Sequence, residues 1–121
     1  NEENKFCYKA ASFHTTKLIQ ERLGLNSEKC ITCFQSRLTK NWLTPFTDSV
    51  LEELAANNHK KILVLAPAFT ADNLETLIEI DDEYKELFVE AGGHTLDFVE
   101  SLNDDEEWVQ AIINILGETN V

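Results

Sequence analysis

The chain has 121 residues, 43% of them apolar, and its 22 acidic against 10 basic side chains give a formal net charge of −12. This length provides one domain core, predicted over residues 1–121, and no apolar run approaches the ~20 residues that span a bilayer as a helix. The acidic excess repels phosphate backbones, so the composition argues against a nucleic-acid partner.

Three elements are predicted in the first half of the chain. Apolar side chains recur on one side of a helical pattern from about residue 10 to 23, and Gly24 follows as a stop. Residues 30–35 favour a first strand because isoleucine, threonine and phenylalanine suit a pleated surface. Thr47 can then cap a second, short helix.

The second half continues the alternation of strands and helices. Residues 61–66 form an apolar run typical of a parallel strand covered on both faces, and 95–99 predict another strand. The longest helical pattern covers 72–91, and Asp104 or Asp105 can cap a last helix. The order predicts an α/β fold, a three-layer sandwich in which helices flank a small parallel sheet of three or four strands.

The ends of the predicted strands carry no sign of a nucleotide site. Ligands of such sheets bind beyond the carboxyl ends of the strands, and a phosphate would need a glycine-rich turn there. The four glycines instead follow predicted helices. A phospho-acceptor aspartate is also missing, since the central strand ends in Ala66 and Pro67. The polar ends, 1–5 and 117–121, are expected to be flexible tails.

The helix predicted over 72–91 is strongly acidic. Winding it at about 100° per residue places seven carboxylates on one face. They are Asp72, Glu75, Glu79, Asp82, Glu83, Glu86 and Glu90. Such a stripe either holds cations or protons or is only a solvated face, and the second interpretation is the more common one for an acidic protein.

Asp81 conflicts with a regular α-helix in this segment. The same winding places it within the apolar face that includes Leu74, Leu77, Ile78, Tyr84 and Phe88. A buried, unpaired carboxylate there would cost several kcal/mol. One extra residue in a turn, a π-bulge, would change the phase of the later residues, and such bulges occur often at functional sites. We therefore predict a π-bulge.

Several motifs resemble those of one enzyme family, the ferrochelatases, in order and spacing. They are Phe34-Gln35-Ser36-Arg37, Trp42-Leu43-Thr44-Pro45, Pro67-Ala68-Phe69-Thr70, Glu75-Thr76-Leu77 and Ser101-Leu102-Asn103. The resemblance extends from about Cys7 to Leu116 and corresponds to the carboxyl-terminal half of the family. It implies a chelatase-like, Rossmann-like domain of a lyase that inserts Fe²⁺ into protoporphyrin IX, the last step of haem biosynthesis. It also implies a second, similar domain, with the porphyrin cleft between the two.

The resemblance implies roles for individual residues. Glu75 matches the family's catalytic and metal-site glutamate, and Glu79 and Glu83 match the acidic positions that follow it along a π-helical stretch, thought to pass metal or protons. The porphyrin-cleft segment corresponds to Gln35, Ser36, Arg37, Trp42 and Pro45. The family's histidine motif belongs to the missing amino-terminal half and is not matched by His14, His59 or His94. This segment alone is therefore expected to be inactive.

Ferrous iron is expected as a substrate, with no tightly bound cofactor. Some ferrochelatases hold a [2Fe–2S] cluster, but Cys30 and Cys33 on a strand would point to opposite faces, which argues against a cluster here. Three cysteines suit a reducing compartment, and no secretory leader is recognised, so a cytoplasmic location is expected. Three questions stay open: a peripheral membrane contact, a degenerate tetrapyrrole- or metal-binding domain without turnover, and a purely structural or partner-binding domain.

Overall fold

The computed structural model describes residues 6–118 as a small, mixed α/β domain. Its elements in chain order are α1 (Tyr8–Leu23), a 3-10 helix (Ser27–Lys29), α2 (Thr47–Ala56), β1 (Lys61–Leu65), a π-helix (Glu75–Tyr84), α3 (Lys85–Glu90), β2 (Thr95–Val99) and α4 (Glu106–Glu118). The predicted α/β class with a small parallel sheet is confirmed, and both strands of the sheet lie where the sequence places them. Within 6–118, no helix is long and apolar enough to cross a membrane.

The two strands pair in parallel, with Ile62 opposite Leu96 and Val64 opposite Phe98. One face of this sheet packs against α2 and α3 in the hydrophobic core. The fully or nearly fully buried members of the core cluster are Leu51, Ala55, Phe88 and Leu96. Burying a leucine or phenylalanine side chain contributes about 1.5–3 kcal/mol each. The core therefore fixes the sheet on the two helices, and the π-helix lies in the connection between β1 and β2.

The other face of the sheet stays largely open. Leu63 and Leu65 alternate with the core-facing residues of β1 and are 64% and 42% exposed. The prediction that β1 is covered on both faces is therefore wrong for the residues that the structure describes. The residues of β1 alternate: every second one faces the single layer of helices, and the leucines between them point away from that layer. The apolar run therefore does not indicate two covered faces.

The prediction of a strand over residues 30–35 is also wrong, and within residues 6–118 the sheet has two strands rather than three or four. This segment is extended but forms a single parallel bridge, between Phe34 and Phe46. The Phe34 N–H donates to the Pro45 carbonyl at 2.9 Å, and its carbonyl accepts from the Thr47 N–H at 3.1 Å. β-propensity favours an extended chain, but a strand also needs a continuous partner.

The predicted departure from α-helical winding is confirmed and is longer than one turn. The π-helix covers ten residues, and Asp81 is exposed within it, 3.5 Å from the Lys85 ammonium. Thr76 and Ile80 face the core instead. Because the phase differs from that of an α-helix, Leu74, Leu77 and Ile78 are exposed, which corrects the apolar face predicted for them.

The predicted tails lie mostly outside the described residues. Residues 1–5 and 119–121 are among those that the structure does not describe. Gly117 and Glu118 belong to α4, so the helix extends two residues into the predicted carboxyl-terminal tail.

Replacing Gly93 by alanine is predicted to destabilise the fold. A β-carbon at Gly93 would overlap the ring of Phe88, which is completely buried, so the ring or the backbone would have to shift. Overpacking of this kind costs about 1–3 kcal/mol, which urea unfolding would measure. Gly117→Ala is the matched control, because its β-carbon would meet no atom within 4 Å and alanine favours the helix. Equal stabilities for the two variants would contradict the prediction.

Candidate functional site

The helix that carries Glu75 begins at a reciprocal cap. The Asn73 side-chain oxygen accepts hydrogen bonds from the N–H groups of Glu75 at 2.9 Å and Thr76 at 3.2 Å. The Asn73 N–H in turn donates to the Thr76 hydroxyl at 3.0 Å. This arrangement satisfies backbone donors that a helix start leaves free, as a capping box does. It fixes the backbone from which the Glu75 side chain projects.

Asp72 and Asn103 join this helix start to the segment after β2. The Asn103 amide donates to the Asp72 carboxylate at 2.9 Å and accepts from the Asp72 N–H at 2.8 Å. The Asp72 carboxylate also accepts from the Ser101 N–H at 3.2 Å. The Asn103 hydrogen bond is the main cause that lowers the pKa of Asp72 below its ordinary value. Asp72 is thus an ionised structural anchor.

Glu79 lies at the centre of a hydrogen-bonded group that we call the Glu79 network: Gln35, Ser36, Glu79 and Tyr84. One oxygen of its carboxylate accepts from the Ser36 N–H at 2.9 Å and from the Tyr84 hydroxyl at 2.7 Å. The other accepts from the Ser36 hydroxyl at 2.5 Å and from the Gln35 amide at 3.3 Å. The network connects residues more than forty positions apart in the sequence.

The protonation states of this network follow from its contacts. Burial raises the pKa of Glu79, but the hydrogen bonds from Ser36, Tyr84 and Gln35 together outweigh it, so the pKa is lowered. The pKa of Tyr84 is raised, first by burial and then by the hydrogen bond to Glu79 and the negative charges of Glu79 and Asp48. Near neutral pH, Glu79 is therefore ionised and Tyr84 carries its proton.

Next to the network lies an open groove of about 270 Å³, the acidic groove, lined by Leu74, Glu75, Ile78, Glu79 and Glu83. Glu75 and Glu83 are exposed there, beside Leu74 and Ile78, which are 75% and 46% exposed. In such an arrangement the apolar surface can bind a largely apolar ligand, and the carboxylates can exchange protons or cations with it. Within residues 6–118, no three His, Cys, Asp or Glu side chains come together as a metal site.

Only part of the predicted cleft segment contacts the π-helix. Gln35 donates to the Glu75 carbonyl at 3.1 Å, and the Trp42 indole N–H donates to the Gln35 carbonyl at 2.9 Å. Arg37 points elsewhere: its guanidinium stacks on the Phe46 ring, 4.4 Å from the centroid. The structure thus brings Gln35 and Ser36 to the π-helix and Trp42 to Gln35, whereas Arg37 lines a second depression. Pro45 stays next to this segment through its carbonyl bond to Phe34.

Comparison with known proteins identifies the family. A sequence model described as ferrochelatase matches residues 1–120. The chain belongs to the ferrochelatase family. The relative named Ferrochelatase from Ectopseudomonas mendocina (strain ymp) is 49% identical over 107 residues, 88% of this chain and 32% of the relative. Its counterpart from Pseudomonas fluorescens (strain Pf0-1) is 48% identical over 110 residues, 90% of this chain and 32% of the relative.

A third relative carries a more specific name. Coproporphyrin III ferrochelatase from Lactococcus lactis subsp. cremoris (strain SK11) is 40% identical over 120 residues, 98% of this chain and 38% of the relative. The chain therefore spans about a third of the length of the curated ferrochelatases that it matches.

Two contacts of this ferrochelatase-family site are not predicted by the sequence, although Asn103 lies in one of the matching motifs. Tyr84 was assigned to the apolar face, but it also donates to Glu79, five residues earlier. The five-residue spacing on one side of a helix is the signal that could have found it, once a π-helix is expected. Asn103 is 31 residues from Asp72, and no local pattern relates the two.

The cysteines of this ferrochelatase-family chain are free thiols in the described residues. Burial raises the pKa of the Cys33 thiol, and a hydrogen bond from the Thr47 hydroxyl at 3.4 Å opposes this effect. The Cys33 thiol therefore keeps its proton at neutral pH, and its partly buried side chain contributes to packing.

Replacing Asn103 by glycine is predicted to raise the pKa of Asp72 towards its ordinary value. Glycine keeps the left-handed backbone of Asn103, where φ is 49°, but removes the amide that lowers the pKa. Carboxyl-carbon NMR titration measures the change. Asn58→Gly is the control. Asn58, in the turn after α2, also has a left-handed backbone, with φ 66°, so the same substitution is made at a similar conformation. An unchanged Asp72 titration in Asn103→Gly would show that the anchor is not formed.

Removing Glu79 is predicted to destabilise the fold most above pH 4.5. The pKa of Glu79 is below its ordinary value of 4.5 in the folded chain, so its ionised form stabilises the fold above that pH. The stabilisation is lost as the pH falls through the lowered folded-state pKa. Urea unfolding of the unmodified chain and Glu79→Ala, between about pH 3 and 7, should give a difference that shrinks on acidification. Glu90→Ala removes an exposed carboxylate of α3 and controls for the change in net charge. If the loss of stability in Glu79→Ala grew towards low pH, the lowered pKa of Glu79 would be contradicted.

Proposed function

We propose that this chain forms one wall of a porphyrin cleft in which Fe²⁺ is inserted into protoporphyrin IX, as a step of haem biosynthesis. The observation that carries the proposal is the position of Glu75, an exposed carboxylate next to a capped helix start and beside an open apolar groove. Membership of the ferrochelatase family supports the same chemistry.

The reaction needs a proton acceptor close to the porphyrin centre. Ferrous iron must shed water, and the two pyrrole N–H groups must lose their protons, so that the metal replaces two protons without a change of oxidation state. Glu75 is the proposed acceptor, since its carboxylate lies in the acidic groove and is not part of the Glu79 network. An exposed carboxylate beside the apolar surface of the groove can accept protons from a bound porphyrin and release them to solvent.

The other groove residues have supporting roles in this proposal. Leu74 and Ile78 offer apolar surface on which the flat macrocycle can rest. Glu83, exposed further along the π-helix, is proposed to take protons or iron between Glu75 and solvent. Gln35, Ser36 and Trp42 form the adjoining part of the cleft wall. Iron is proposed as a substrate, with no tightly bound cofactor.

The remainder of the cleft is proposed to come from an amino-terminal region like that of the longer relatives. The chain spans about a third of their length. By itself it is expected to be inactive, because the motif resemblance implies that the family histidine belongs to that region. A cytoplasmic location is part of the proposal, with peripheral membrane contact as the route by which an apolar porphyrin arrives.

A second candidate function is binding of tetrapyrrole or metal without turnover. It is favoured by one observation: within residues 6–118 no three ligand side chains converge, so iron has no preassembled site in this wall of the cleft. The two candidates differ in whether metalloporphyrin forms, not in whether porphyrin binds.

Glu75→Gln is predicted to abolish most of the turnover. The test mixes the chain with the amino-terminal region of the Pseudomonas fluorescens relative, anaerobically, with ferrous iron and either protoporphyrin IX or coproporphyrin III, and follows metalloporphyrin absorbance. Loss of a general base lowers the rate by about 10²-fold or more. Glu86→Gln, an exposed carboxylate in α3, is the matched control and should keep full activity.

The outcomes of this test separate the two candidates. Turnover in the unmodified protein that Glu75→Gln removes supports the proposed role of Glu75. Porphyrin binding with no metalloporphyrin in any variant supports the second candidate. Equal turnover in Glu75→Gln and Glu86→Gln would contradict the assignment of Glu75.

A further inference from the structure

The acceptor capacity of Glu79 is fully used within the protein. A carboxylate offers about four acceptor sites, two on each oxygen. Four donors lie on them: the Ser36 N–H and the Tyr84 hydroxyl on one oxygen, and the Ser36 hydroxyl and the Gln35 amide on the other. An arriving iron or proton would have to displace one of these donors, whereas Glu75 and Glu83 are exposed in the same groove.

The Glu79 network is anchored in the hydrophobic core on one side only. The Tyr84 ring packs against the buried cluster of Leu51, Ala55, Phe88 and Leu96, and its hydroxyl reaches out to Glu79. Its position five residues after Glu79 is brought to the same side of the helix by the π-winding. Tyr84 therefore connects a rigid part of the fold with a carboxylate at the surface groove.

The other side of the network is a segment without regular structure. Gln35 and Ser36 follow the single bridge at Phe34, and Ser36 has a left-handed backbone with φ 56°. This conformation directs the Ser36 N–H to Glu79, and it needs support from its surroundings because non-glycine residues rarely adopt it. The Trp42 indole then donates to the Gln35 carbonyl, so the position of Trp42 depends on the same segment.

From these contacts we propose that Tyr84 is a positioning residue. It holds Glu79 as a structural connector, so that Gln35 and Ser36 stay in place on the π-helix beside Glu75 and Trp42 keeps its bond to Gln35. Glu79 acts here by orienting one cleft wall, not by binding iron. The proposal rests on the proposed function for its effect on porphyrin, but its structural part can be tested without turnover.

Amide hydrogen exchange of Ser36 tests the structural part in the 121-residue chain. Tyr84→Phe keeps the ring in the core and removes only the hydroxyl. Ser36 N–H exchange should then be faster by about tenfold, the factor expected for losing one hydrogen bond to a charged group. Tyr8→Phe is the matched control, because Tyr8 lies exposed on α1. Unchanged Ser36 exchange in Tyr84→Phe would overturn the proposal.

Steady-state kinetics of the chain mixed with the amino-terminal region test the functional part. Tyr84→Phe should raise the KM for porphyrin by about tenfold, with kcat and the KM for iron close to those of Tyr8→Phe. A rise in the KM for iron, or a loss of kcat alone, would overturn the proposal and indicate that Glu79 handles metal.

Two variants of Glu79 provide the rescue experiment. Glutamine keeps one oxygen for the Ser36 N–H and the Tyr84 hydroxyl, and its amide can donate to the Ser36 hydroxyl, which is able to reorient. Only the long bond from the Gln35 amide is lost, and that amide keeps the Glu75 carbonyl as an acceptor. Glu79→Gln should therefore restore most of the porphyrin affinity that Glu79→Ala loses. Equal loss of activity in both variants would refute a positioning role.

The design keeps the two proposals distinguishable. If Tyr84→Phe perturbs the fold, Ser36→Gly provides a second disconnection, since glycine suits the left-handed backbone and removes the hydroxyl. It should raise the KM for porphyrin in the same way, and an unchanged KM would count against the proposal.

If no reassembled protein turns over, the proposed function fails, while Ser36 exchange still decides whether Tyr84 positions this segment.

Discussion

The π-winding of residues 75–84 is the constraint on which the candidate site depends. It turns Thr76 and Ile80 into the core and leaves Asp81 in solvent, where an α-helix would have buried its charge. The same change of phase brings the Tyr84 hydroxyl to Glu79 and exposes apolar surface beside Glu75. Stability and site geometry therefore have one cause, because the winding that keeps a charge out of the core also shapes the acidic groove.

Local pattern predicted the regular elements well. The strand at 95–99 and the apolar run of β1 lie where predicted, and the misplaced charge of Asp81 correctly indicated a π-helical distortion. The segment 30–35 shows where this approach fails. Its β-branched and aromatic residues favour an extended chain, but pairing depends on a partner elsewhere in the sequence, and only Phe34 has one. The prediction that both faces of β1 are covered fails for the same reason. The residues of a strand do not determine how many layers of helices pack on it, and two leucines of β1 are exposed.

The contacts within the site were much less predictable than its members. Motif resemblance pointed to Glu75, Glu79 and the segment from Gln35, but not to which side chains meet. The Glu79 network joins positions more than forty residues apart, and the bond between Asp72 and Asn103 spans 31. Such pairings depend on the phase of a helix and the path of a loop, neither of which composition or periodicity determines. Together they fix the acidic stretch at two points, one at the start of the helix and one about a turn later.

The two-stranded sheet has a consequence for how this chain behaves in solution. Within residues 6–118, β1 and β2 pair only with each other, so the outer edge of each strand has backbone groups available to a further strand. The leucines on the open face add apolar surface next to those edges. The net charge of −12 keeps copies apart by mutual repulsion, which dissolved salt screens within about 8–10 Å. A higher ionic strength therefore weakens the repulsion that opposes strand pairing between copies at these edges.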